Sequence, residues 1–503
     1  MRIAARFSLA VALLVTPAAC TINPATGEKS FTAFMSPADE ERVGAEQHSQ
    51  LVAQMGGAYG DAELGAYVER VGQTVARQTE LPDGGYVFTV VNDDSVNAFA
   101  LPGGYVHVTR GLLALAGNEA ELAGVIAHEL GHVVARHAAQ RYSRTVAAGV
   151  GMSALNVIGT VLGVPPMAGD LAGYGAQAYL QDYSRDQEME ADRLAVRYMT
   201  RAGYDPNAMV TFFRKLDAQT RLQAALAGTG DTTERFDIMA SHPRTADRLQ
   251  QARGLVTTTG AAPAPATKRV GEDDYLSHID GLVYGDAVED GVRRGQDFIH
   301  PGLKIAFRVP PQFVLQNAPQ QVIAVGPGRS MIVFSGASLD ASRAEPMSSY
   351  LTRIWAPRAR LTNVQTLTID GLDAATAVTR ASTEGGQVDV RLVAIRAPDR
   401  IYRFLFLSAP ALTAQLAAPF KDTVTSLRRL SDAEAAAIRP LRVRIVAVRP
   451  GDTVQSLAAG MPFPGYAADL FRVLNGLDGG ADALPAGPRV KVVSDGSGGS
   501  RAG

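Results

Sequence analysis

Cysteine is almost missing from this chain: Cys20 is the only one in 503 residues. Disulfides therefore contribute nothing to the mature fold. Net charge is nearly absent as well, with 48 basic residues against 50 acidic ones, and there is no basic stripe or aromatic-rich basic patch. That argues against a nucleic-acid partner. Long uninterrupted hydrophobic runs are also lacking. Phe7 to Val15 is too short to span a membrane stably, and the charge-free stretch Thr145 to Val164 is diluted by Gly149, Gly151, Ser153, Asn156, Gly159 and Gly163 before Pro165-Pro166 ends it. What remains is a chain with ordinary apolar content, long enough for two to four domains.

The most telling segment is His128-Glu129-Leu130-Gly131-His132, an H-E-x-x-H pentad inside a helical pattern. Asn118 supplies an N-cap, Glu119 and Glu121 favour the first turn, and Leu122, Val125, Ile126, Leu130 and Val133 give apolar surface. Residues four apart share a helix face, so His128 and His132 can grip one Zn²⁺ while Glu129 reaches a water on it. A hydrolytic zinc site needs a third protein ligand. The metzincin spacing fails, because Ala135 and Ala138 stand where glycine and histidine are needed, and His137 projects from the far side of the extrapolated helix as an exposed residue. The stretch Tyr183–Met199 offers a carboxylate instead. Glu188 and Asp192 share a face while Glu190 points elsewhere, which makes Glu188 the metal ligand and Asp192 a residue that orients a ligand histidine.

Four blocks then resemble metallopeptidase family 48, the group of CaaX prenyl proteases, HtpX membrane proteases and BepA-like periplasmic proteases. They are Asn97–Gly104, the pentad with its Val133–His137 tail, Glu188–Asp192, and Ser241-His242-Pro243 with Arg248, together spanning roughly residues 35–253. The resemblance implies that Glu188 is the third zinc ligand. It further implies that His242 approaches the metal as an extra resting-state ligand or as a transition-state stabiliser, with Arg248 near the same cleft. Asn97, Ala98, Phe99 and Ala100 would form an edge strand where an extended substrate pairs by β-augmentation.

The N-terminus reads as an export signal: Arg2 and Arg6, the apolar run, then small residues. Ala18-Ala19-Cys20 resembles a lipobox, which implies lipidation of Cys20 and, with Thr21 following, sorting to the outer membrane. Pro17 departs from that pattern, and cleavage after Ala18 or Ala19 is the alternative. Thr145–Val164 cannot be a single membrane crossing, because His132 before it and Glu188 after it must reach one zinc. It reads as a lid over the site or a helix buried in the protease core.

The expected fold class is multidomain α+β: a mainly helical, gluzincin-type peptidase domain with a small sheet, a smaller α+β domain, and a LysM-like βααβ module. The expected boundaries are a signal peptide at 1–20, a tether at 21–35, the peptidase at 36–254, a Thr/Pro/Ala linker at 255–272, an accessory domain at 273–430, the LysM-like module at 443–493 and a tail at 494–503. His278 and His300 are isolated and expected to be structural. Arg444–Ala458, with its Pro450-Gly451-Asp452-Thr453 turn, carries the LysM resemblance, which implies binding to peptidoglycan. The function expected is a zinc metalloendopeptidase of the periplasm, anchored at the outer membrane. It would cleave unfolded or misfolded envelope proteins, with the outer-membrane assembly machinery as a partner. The alternative is a peptidoglycan-docked chaperone or scaffold in which proteolysis is secondary.

Overall fold

The computed structural model describes residues 20–147, 183–227, 242, 246–259, 268–318, 321–339, 345–383, 386–477 and 482–496. Most of the segment expected as a lid, and the signal sequence before Cys20, lie outside the described residues.

The chain opens with a hairpin, β1 (Cys20–Ile22) against β2 (Lys29–Phe31). Helix α1 (Pro37–Gln54) follows, started by a capping box between Ser36 and Asp39, and then α2 (Ala62–Ala76). Strands β3 (Val87–Val91), β4 (Ala98–Leu101) and β5 (Tyr105–Thr109) make a three-stranded sheet in the order β3-β5-β4, so β4 is an edge. Thr109 caps the short α3 (Arg110–Leu115) and Asn118 caps α4 (Glu119–Val134), which carries the pentad. Fifteen of the sixteen α4 residues are buried, so this helix is the axis of the domain. Next come α5 (His137–Ala147), α6 (Arg185–Arg201), α7 (Asn207–Ala227) and α8 (Ala246–Thr259). Gly131 lets α4 and α6 close on each other, since a Cβ there would lie 3.2 Å from the Ala191 Cα.

Two expected boundaries move. Residues 21–35 are no tether: the hairpin is docked on the peptidase. Arg136 donates to Thr21 Oγ1 (2.9 Å) and the Met35 carbonyl (2.9 Å), and Asn23 donates to Glu190 (2.9 Å). Nor does residue 273 begin a separate domain. Helix α8 continues to Thr259, and Arg269 pairs with Glu119 at 2.7 Å. Tyr275, Leu276 and Ile279 on α9 (Glu272–Ile279) sit in one core with Tyr67 and Leu113 of the peptidase. His278 stacks on Tyr67, with ring centroids 3.9 Å apart.

The accessory part has its own aromatic core, in which Phe307, Phe334, Phe404 and Phe406 pack with Phe420. It opens with β6 (Val283–Tyr284), β7 (Val292–Arg294), β8 (Asp297–His300) and β9 (Ile305–Arg308). The main sheet is seven-stranded and antiparallel, built from β10 (Val314–Ala318), β11 (Gln321–Val325), β12 (Met331–Ser338), β13 (Thr362–Ile369), β14 (Leu372–Thr383), β15 (Gly386–Arg396) and β16 (Arg400–Ser408) in the order β10-β11-β12-β16-β15-β14-β13. Helix α10 (Thr413–Thr425) packs on it. His300 accepts a hydrogen bond from the Leu303 amide, a structural role.

The short β17 (Arg428–Arg429) pairs with β9, and the last segment runs β18 (Leu441–Ala447), α11 (Val454–Ala458), α12 (Ala467–Asn475) and β19 (Arg489–Ser494). Its elements run in β-α-α-β order, and β6 joins β18 as a third strand. The module is fastened to the peptidase by Lys491, 1% exposed, whose ammonium donates to the carbonyls of Ala114, Leu115 and Ala116 at 2.7, 2.9 and 2.7 Å. Three N–H groups thus meet the carbonyls at the C-terminal end of α3, where a helix presents unpaired acceptors and partial negative charge.

Candidate metal centre

Helices α4 and α6 present the site. His128 and His132 lie one turn apart on α4, with their Nε2 atoms 3.1 Å from each other. Glu188, in the first turn of α6, places Oε1 3.4 Å from His132 Nε2 and Oε2 3.5 Å from His128 Nε2. His242 closes the group: its Nδ1 lies 3.3 Å from His128 Nε2 and 2.9 Å from Glu188 Oε1. All four side chains are buried.

These spacings test whether a cation fits. Tetrahedral zinc with bonds of about 2.0–2.1 Å sets its ligand atoms roughly 3.3 Å apart. The observed separations surround that value, and one atom from each of the four residues lies within 4.8 Å of the others. The donor chemistry agrees, since two or three imidazoles and a carboxylate form the nitrogen and oxygen set of a hydrolytic zinc site. Electrostatics agree too. Burial alone would lower His128, yet Asp192 and Glu188 beside it push it up to about 9. Burial alone would raise Glu188, yet His242 and hydrogen bonds from His128 and His132 hold it well below the usual carboxylate range. A pocket with this bias stabilises a positive charge at its centre, and zinc fits it.

Glu129, one position round α4 from His128, is 1% exposed; among the described residues neither of its carboxylate oxygens has a hydrogen-bond partner, and His242 Nε2 lies 3.5 Å from its Oε1. A carboxylate rarely stays buried without one. Burial raises its pKa, the direction that suits a proton acceptor working near neutrality. Asp192 places Oδ1 3.0 Å from His128 Nδ1, the ring nitrogen turned away from the cluster. Arg248 sits at the same cleft, against both Glu188 and Asp192 of α6. Its Nε and Nη2 form a fork on Asp192, both at 2.8 Å, and its Nη1 lies 2.7 Å from Glu188 Oε2. So committed, Arg248 holds the two carboxylates in position.

His137 overturns the helical extrapolation. It is fully buried, with Nδ1 2.8 Å from His132 Nδ1. The reason is local: α4 ends at Val134, and Arg136 takes a left-handed backbone at φ 57°, a conformation that costs energy for a non-glycine residue. The guanidinium holds it there through Glu40 at 2.7 Å and the Met35 carbonyl. The reversal swings His137 back behind His132. Glu190 does not simply point away either: it lies 3.5 Å from His137 Nε2 and accepts from Asn23. Tyr183 stacks on the His132 ring at 3.9 Å. Helical spacing alone gave no sign of His137, Glu190 or Tyr183 as supports of the site.

Among the expected substrate residues, Ala98, Phe99 and Ala100 form β4 with Leu101, and Asn97 directly precedes it. Ala100 and Leu101 line a cavity of about 610 Å³ that also reaches His132 and Tyr183.

Comparison with known proteins agrees with this geometry. Residues 63–256 match the model of Peptidase family M48. This segment, which carries the metal group, is similar to M48 metallopeptidases. The chain is 31% identical over 223 residues to the beta-barrel assembly-enhancing protease of Yersinia pestis, covering 43% of each protein. It is 28% identical over 221 residues to the mitochondrial metalloendopeptidase OMA1 of Schizosaccharomyces pombe, covering 42% of this chain and 59% of that one. It is 32% identical over 174 residues to the metalloprotease YcaL of Escherichia coli (strain K12), covering 34% of this chain and 62% of that one. The chain thus spans under two thirds of the length of each of these relatives.

Proposed function

We propose that the whole protein is a zinc metalloendopeptidase of the cell envelope, acting on unfolded or misfolded proteins and chiefly on those bound for the outer membrane. The observation that carries the peptidase reading is the buried Glu129 carboxylate beside a four-residue metal group, its oxygens without a hydrogen-bond partner and facing only the His242 ring at 3.5 Å among the described residues. A protein that only bound clients would have no use for a general base there. His128, His132 and Glu188 would hold zinc, which would supply Lewis acidity toward the scissile carbonyl and lower the pKa of water to about 7. Glu129 takes the proton of the attacking water and returns it to the departing amine. Asp192 and His137 fix the two ligand imidazoles from behind, and Arg248 keeps Asp192 ionised and both Glu188 and Asp192 aligned. His242, with Nδ1 in the fourth corner of the group, holds the resting site shut until a client displaces it. His242→Ala should therefore gain basal proteolysis with zinc retained; loss of activity instead would assign His242 to the oxyanion.

The edge strand β4 supports an extended substrate. It pairs with β5 on one side and has no partner strand on the other among the described residues. Backbone pairing of this kind suits unfolded chains, because it ignores side-chain identity. The relatives named for beta-barrel assembly and the export signal favour outer-membrane clients, and Cys20 as a lipidated first residue would keep the enzyme in the periplasm at the outer membrane. The C-terminal module, LysM-like in its motifs, would add peptidoglycan docking. The test is client capture: Glu129→Gln protein incubated with an envelope extract should retain β-barrel precursors that the wild type cleaves. Capture of folded soluble proteins alone would contradict the client assignment.

A further inference from the structure

Four of the eight exposed large hydrophobic side chains among the described residues surround the N-terminal hairpin: Ile22 at 67%, Phe34 at 50%, Leu81 at 41% and Tyr142 at 42%. They belong to one lip. Ile22 and Leu81 line the same cavity, the one that reaches His132. The Phe34 amide donates to Ser143 Oγ at 3.2 Å, on the helix that carries Tyr142, and the Phe34 ring meets Phe31 edge-on at 6.1 Å. Leaving these groups in water is unfavourable, and half of the exposed large apolar side chains gathered around one hairpin mark it as a contact surface.

The lip is held in place rather than adaptable. Arg136, two residues past the end of the active-site helix, bonds Thr21 on one side and Met35 on the other, and Asn23 is tied to Glu190. Its place in the chain says what it meets. The basic and apolar sequence before Cys20 delivers the chain to a membrane, and β1 begins at Cys20 itself. One peptide step, about 3.8 Å, separates Cys20 from a residue bonded to the end of the catalytic helix. No spacer lets the peptidase swing away.

We infer that this lip seats on the lipid surface, so that the cleft opens toward the bilayer and takes polypeptide segments lying at or emerging from it. The inference rests on the anchored reading of Cys20 given above. It makes the N-terminal hairpin a positioning element: the same residues that tie the chain to the membrane tie it to the metal site.

The test uses the full chain, purified with its native N-terminus and bound to phosphatidylcholine vesicles. The mass of the N-terminal peptide reports whether Cys20 carries lipid, and an unmodified peptide overturns the anchor without touching the lip. In a Trp355→Phe background, tryptophan placed by Phe34→Trp or Tyr142→Trp should be strongly quenched by brominated lipid, while Val364→Trp on the distal sheet should not. Equal quenching at all three sites, or none at residues 34 and 142, overturns the inference. The double variant Phe34→Glu/Tyr142→Glu should cleave a vesicle-displayed substrate about tenfold more slowly, the cost of losing roughly one buried apolar contact, and soluble casein at the wild-type rate. Equal slowing on both substrates would mean that the lip grips polypeptide rather than lipid, and would also overturn it.

Discussion

The metal centre and the C-terminal fastening are both buried polar constructions, and they are specified in opposite ways. At the centre, His128, Glu129 and His132 are neighbours on one helix, and Glu188 comes from a second helix whose own motif marks it. At the fastening, a single lysine from β19 reaches the end of α3, 375 residues away in sequence. The first is built from local spacing and its errors fall on catalysis. The second is built from tertiary packing and its errors should fall on stability.

That difference can be broken by mutation. The largest effect is expected from Glu129→Gln, which should lower turnover of casein by about 10²–10⁴-fold while zinc content and melting temperature stay unchanged. Retained turnover would place the base elsewhere. Lys491→Met should do the reverse. Three buried carbonyls lose their donor, a cost of about 3 kcal/mol read from the urea midpoint, with zinc affinity unaltered. Coupled loss of zinc would mean that the module and the metal centre are one cooperative unit.

A third prediction concerns the sheet beside the cleft. His107 on β5 is fully buried against Phe99, with Nε2 3.0 Å from His48 Nδ1, and burial followed by His48 pushes it down to about 3 from an ordinary 6.5. As pH falls, the unfolded chain takes up this proton first. The stability that neutral His107 contributes is therefore complete above pH 6.5 and is lost as pH falls toward 3. His107→Phe should flatten the acid side of the stability profile by about 2 kcal/mol between pH 6.5 and 4.5. An unchanged slope would show that other groups govern it.

The smallest effect sharpens the comparison most. Glu190→Ala should weaken zinc affinity by about tenfold through His137, without abolishing binding. No change would mean that His137 orients His132 unaided.

That prediction also shows where the sequence stops being legible. Glu188 and Asp192 could be found because a helix repeats its faces every few residues. His137 could not, because its position depends on Arg136 adopting a left-handed backbone that only the Glu40 and Met35 contacts sustain. The hairpin at 20–31 escaped for a similar reason: its small and polar residues read as a tether until Arg136, Glu190 and Ser143 are there to bind them. Tyr275 and Leu276 were assigned to the wrong side of a boundary because the small-residue stretch before them reads as a domain linker, whereas those side chains return to the peptidase core.

The central claim is that His128, His132 and Glu188 hold the catalytic zinc, and zinc content measured on gel-filtered wild-type and Glu188→Ala protein tests it most directly. The account predicts about one zinc per chain in the wild type and almost none in the variant; one zinc in both would contradict it.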